Sequence, residues 1–168
     1  LIIWTLLKPD SLSKNWGLLV GFLFIINIWV EDFIGWQTKT ATLASTLIMM
    51  LLIFISFAII SSIKTLHTGK IINGLKGSLI SACLGTLIAL CFGFLICYLF
   101  PGKMTEILQS DRGFKDYTNP KEFTFFNAFD NASSHVIIAP TVSLIMGSFG
   151  GAVALIILNL RRKKQHVK

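Results

Sequence analysis

GSLISACLGTLIALCFGFLICYLF, Gly77 to Phe100, runs for 24 residues without an Asp, Glu, Lys, Arg or His. As an α-helix it would rise about 36 Å, more than the roughly 30 Å of a bilayer's hydrocarbon core. Only a helix or a closed barrel satisfies every backbone N–H and C=O in that medium, and the run lacks the apolar/polar alternation of a barrel strand. It is read as a transmembrane helix.

The charge map to either side repeats the pattern. There are 16 residues without Asp, Glu, Lys or Arg between Lys14 and Glu31, 24 between Lys39 and Lys64, 26 between Lys76 and Lys103, and 30 between Asp130 and Arg161. Three of these gaps exceed the roughly 20 residues a spanning helix needs, and the first falls slightly short. The expected fold is an all-α integral membrane protein in one domain. Four transmembrane helices are expected near 15–36, 41–63, 77–100 and 135–160, with an outer loop over 101–134. Composition agrees: 54% of the 168 residues are hydrophobic and 14% charged, and mean hydropathy is +0.73. Eight acids and fifteen bases cannot cover a water-soluble chain of this length.

Orientation follows from the bases, because Lys- and Arg-rich segments are retained in the cytoplasm. With the carboxyl terminus inside, the inner segments hold ten of the fifteen: Lys8, Lys14, Lys64, Lys70, Lys76, Arg161, Arg162, Lys163, Lys164 and Lys168. The outer segments hold the other five against seven acids. An even number of crossings also puts both termini on one side, so a bacterial inner membrane with both termini cytoplasmic is expected. The net charge of +7 is then mainly a topology signal with some attraction to lipid heads. A nucleic-acid partner is not expected, since no basic run is interleaved with exposed aromatics.

Leu1 to Leu7, LIIWTLL, is apolar but too short to cross. A short interfacial helix is expected there, with Trp4 at headgroup level and Pro9 ending it; a fifth, incomplete crossing is the alternative.

Cys83, Cys91 and Cys97 stand eight and six apart, which is neither a redox pair nor a zinc pattern, and read as small fillers. His67, His135 and His166 are scattered over three segments. No metal site, cofactor or catalytic residue is expected.

The most specific pattern concerns packing. Gly77, Ser81, Gly85, Ala89, Gly93 and Cys97 recur every four residues on the third helix; Ala139, Ser143, Gly147 and Gly151 do so on the fourth. In lipid, close backbone approach along small-xxx-small faces is a principal source of helix association. Helices three and four are therefore expected to form the tight pair, within one chain or between two. Helix two, bulky over Ile48 to Phe57, should face lipid over much of its circumference. The connection from Lys64 to Lys76, with Gly69 and Gly74, is expected to be a topology-setting turn; it lacks the glycine spacing of a phosphate-binding loop.

Glu31 and Asp32 are candidates for ion or proton handling, with Asn27 one turn deeper and His135 at a similar level on helix four. The simpler reading places both carboxylates among outer headgroups. In the outer loop, Glu122 to Asp130 groups Phe123, Phe126 and Phe129 as an interfacial or re-entrant helix would. Asn131-Ala132-Ser133 matches a glycosylation sequon.

The basic, Gly-containing connection ending at Lys76, the Ser/Ala-rich third helix, PGKMTEIL at Pro101 to Leu108 and a last helix ended by RRKKQ together resemble small uncharacterised bacterial four-helix membrane proteins. That resemblance implies architecture only. The expected role is a non-catalytic accessory or assembly subunit of a membrane complex, with lipids and other membrane subunits, or further copies of itself, as partners. A small oligomeric ion, proton or solute transporter or channel is the alternative.

Overall fold

The computed structural model describes residues 10–29, 39–100 and 120–166. The expected interfacial segment 1–7, Glu31, Asp32 and the first part of the outer loop lie outside the described residues. Four helices account for nearly all of the rest: α1 (Ser11–Trp29), α2 (Lys39–Thr68), α3 (Ile71–Leu99) and α4 (Pro120–His166). Three of them contain stretches long and apolar enough to cross a membrane, Leu47–Thr68, Ile71–Leu95 and Val136–Gln165. The chain is thus an all-helical membrane protein.

Three of the helix ends have a local cause among the described residues. Asp10 caps α1, accepting a hydrogen bond from the Ser13 backbone N–H at 2.8 Å, as an N-cap carboxylate does for the third helical residue. Pro120 opens α4, where its missing N–H costs nothing. At the other end of α2, Gly69 adopts φ +69° and its N–H bonds the Thr65 carbonyl at 2.8 Å, the left-handed cap that glycine accommodates best. Thr68 adds a hydroxyl bond to the Lys64 carbonyl. The α2–α3 link is therefore reduced to Gly69 and Lys70.

These caps turn α2 and α3 into an antiparallel hairpin. Ser13 meets Ser81, and Gly17 and Gly21 meet Leu84 and Ile88, so α1 runs parallel to α3. In the same way Ser61 meets Gly147 and Ser62 meets Gly150, so α4 runs parallel to α2. The hairpin helices each touch all three others, with α1 and α4 on the flanks, and the contact between α1 and α2 is the slightest of the helix pairs involving the hairpin. Outward faces are apolar, as at Leu18, Ile48, Leu51, Leu87, Ile145 and Phe149. Helix two faces outward over much of Ile48 to Phe57, yet Ile53 and Phe57 are core residues.

Several expected boundaries move. Helix two continues from 63 to 68 and helix three starts at 71, so most of the Lys64–Lys76 connection is helical. A charge count stops at Lys64, but that side chain is only 13% exposed and its ammonium is paired with Asp10. The last helix is continuous over 47 residues. Glu122 to Asp130, expected as a separate interfacial helix in the outer loop, is part of α4. At 1.5 Å per residue α4 is about 70 Å long, more than twice the hydrocarbon thickness.

Candidate functional site

A polar seam runs between the helices in the half of the bundle nearest Gly69. The Ser61 hydroxyl donates to the Gly147 carbonyl at 2.6 Å and the Ser78 hydroxyl to the Ser143 carbonyl at 3.0 Å. The Ser81 hydroxyl reaches the Ser13 carbonyl, also at 3.0 Å. Ser62 Oγ lies 2.8 Å from the carbonyl oxygens of both Ala58 and Gly150. Serine side chains are short enough to bond a neighbouring backbone only where the helices nearly touch, and glycine permits that approach. An added methyl at Gly150 would run into the Ala58 carbonyl, and one at Gly147 into the Ser78 hydroxyl. Ser13, Ser61, Ser78, Ser81 and Ser143 are fully buried. The Thr65 and Thr86 hydroxyls are also buried, and neither has a hydrogen-bond partner.

The seam ends in an ionic anchor. Lys64 of α2 pairs with Asp10, and its ammonium also donates to the Ser13 hydroxyl at 3.1 Å. Partial burial raises the Asp10 pKa, but the Lys64 ammonium and the Ser13 N–H and hydroxyl outweigh it and hold the carboxyl below its ordinary value of 3.8. One aspartate thus caps α1 and ties it to the hairpin. Exposed Arg161, Arg162, Lys163 and Lys164 follow on α4. From the α2–α4 register, their helix runs about ten residues, or about 15 Å, beyond the Gly69 turn.

The other half of the bundle differs in kind. A cleft of about 310 Å³ lies between α1, α2 and α4, lined wholly by apolar side chains that include Phe24, Ile53, Phe54, Phe57, Ala139 and Val142. None of the inter-helix serine bonds described above reaches it.

No family model, curated protein or solved structure matches this chain.

Function must accordingly be argued from the residues. Among the expected ion-handling residues, Glu31 and Asp32 lie outside the described residues. Asn27 is half-buried near the end of α1, and His135 lies within α4 with its side chain outside the description. No three His, Cys, Asp or Glu side chains converge among the described residues. Cys83 and Cys91, read as small fillers, are exposed on α3.

The small-residue ribbon of helix three takes a different partner from the one expected. Gly77 meets Lys64 of α2, Gly85 meets Val20 and Gly21 of α1, and Gly93 has no atom within 4 Å of its potential methyl; Ser81 bonds α1 and Ala89 is buried. The reason is geometric. At 3.6 residues per turn, each four-residue step advances about 40° around the axis, so the ribbon winds from α2 past α1 into the open. Helices three and four do pack together, but α3 uses Ile71, Leu75 and Ser78 there, facing Gly151, Gly147 and Ser143.

Sequence reasoning missed Asp10, the pairing role of Lys64, Gly17, Gly21, Gly150 and Ser78. The cap had a signal in Pro9-Asp10 before an apolar run with Ser13 three residues on. Gly17 and Gly21 had one in their four-residue spacing. No local signal exists for the Lys64 pairing.

Proposed function

We propose that the chain crosses the membrane four times and serves as a non-catalytic accessory or assembly subunit of a membrane complex, both termini lying in the cytoplasm of a bacterial cell. The observation that carries this reading is α4. A helix of 47 residues is far longer than a bilayer requires and extends into the aqueous phase, where Arg161–Lys164 are exposed for a partner. Supporting it, helices α1 to α4 meet through glycines and serine-to-carbonyl bonds, which suits a rigid scaffold. The fourth crossing is α1, whose 19 residues span about 28 Å.

The decisive experiment pairs recovery of partners with a flux assay. The protein is purified in mild detergent from its native membrane, wild type beside the double change Glu31→Gln and Asp32→Asn. An accessory subunit recovers the same membrane partners in both forms and carries no flux alone in vesicles. Cation or proton flux through the purified wild type, abolished by the double change with helix content intact, would replace this reading with the transporter.

A further inference from the structure

We propose that the cleft between α1, α2 and α4 is a binding site for one hydrocarbon chain of a membrane phospholipid from the leaflet opposite the Gly69 turn. The inference rests on the membrane setting alone and stands whether or not the chain is an accessory subunit.

The lining excludes water and polar ligands. Every wall side chain is Phe, Met, Ile, Ala or Val, and a water needs at least two polar partners to stay in a cavity. The volume argues against an empty space. Apolar cavities of about 150 Å³ already take up benzene-sized guests, and this cleft holds about 310 Å³. Its position names the guest. The cleft opens to the helix surface within the spans Leu47–Thr68 and Val136–Gln165, and its neighbours Met50 and Ile138 are 49% and 57% exposed. What surrounds those side chains in a bilayer is acyl chain, present in vast excess over any other apolar solute.

The walls are also built to yield. In the Gly69 half, α2 and α4 are held by Ser61 and Ser62; at the cleft the side chains they present are apolar. Pro140 lies in the α4 wall between Ala139 and Val142, where it removes the backbone bond to the Val136 carbonyl and loosens the helix. Close by, the Thr141 and Ser143 hydroxyls donate within α4 to the Ile137 and Pro140 carbonyls. Among the described residues, a chain entering here separates α2 from α4 without breaking a hydrogen bond between them.

The test compares wild type with Ala139→Phe and Val142→Phe, which fill the cleft, and with Ile145→Phe, which enlarges a side chain that is 63% exposed elsewhere on α4. Each is reconstituted into phosphatidylcholine vesicles containing phosphatidylcholine spin-labelled on its acyl chain, and the motionally restricted lipid is measured by electron paramagnetic resonance. The restricted fraction should fall in both cleft-filling variants and stay at the wild-type level in Ile145→Phe. An equal fraction in all four proteins would overturn the proposal. So would a fall accompanied by loss of a dimer on cross-linking, which would make the guest a side chain from a second copy. Native mass spectrometry of the wild type covers the case in which a filled variant misfolds: a phospholipid mass should survive exchange into lipid-free detergent, and a bare chain would equally overturn the site.

Discussion

Asp10 stands alone. By the charge pattern it is the sole acid among the segments expected to be cytoplasmic, facing ten bases, and it spends its charge on Lys64 while its other oxygen caps α1. Because its folded pKa lies below 3.8, its contribution to stability is fully present above that ordinary value and disappears as pH falls through the folded one. The thermal midpoint in detergent should therefore drop on acidification below about pH 4. Asp10→Asn keeps an acceptor for the Ser13 N–H and removes only the charge. It should cost under about 1 kcal/mol at neutral pH, since Asp10 is nearly half exposed, and flatten the acid limb. An acid limb unchanged by the substitution would show that other carboxylates set it. This residue also marks a limit of reading in one dimension. A cap is a local pattern of three residues, whereas Lys64 lies 54 positions away and nothing adjacent to either residue announces the other.

The same limit governs the helices. Uncharged runs disclosed that four helices exist, because placing a charge in hydrocarbon is expensive. They underestimated α2 because Lys64 is neutralised by a partner, and α4 because charged residues stand at both of its ends. The four-residue ribbon of α3 was equally legible as a pattern, but spacing says which residues are small and not which helix arrives. A matched pair of substitutions separates these roles. Gly150→Ala drives a methyl against the Ala58 carbonyl, a backbone atom that cannot rotate away, whereas Gly93→Ala meets nothing within 4 Å. The first should cost about 1–3 kcal/mol by the scale of overpacked cores. The second should be neutral or slightly stabilising, since alanine is the better helix former. Thermal unfolding in detergent reads both, and equal midpoints would mean that α2 and α4 do not approach as closely as described.

Taken whole, the bundle places the start of α1, the Gly69 turn and the basic end of α4 together at one end. In a chain cleared of Cys83, Cys91 and Cys97, single cysteines at Lys70 in the turn and at Lys115, between α3 and α4 in sequence, should react oppositely with an impermeant thiol reagent applied to intact cells. Labelling only at 115 is the expected result. Labelling only at 70 would invert the orientation, and labelling at both would show that α3 does not cross. The parallel partnerships of α1 with α3 and of α2 with α4 carry a further meaning for the order in which the protein comes into being. A ribosome that has delivered residues up to Thr68 has made two helices tied at one end by Lys64 with Asp10 and Ser13. The Gly17–Gly21 groove stays bare until Leu84 and Ile88 emerge, and the Ala58–Ser62 surface waits longer still, until Gly147 and Gly150 are made. α1 and α2 must each find the helix after next as well as a neighbour, so the last of these interlocks cannot close until Gly150 has been made.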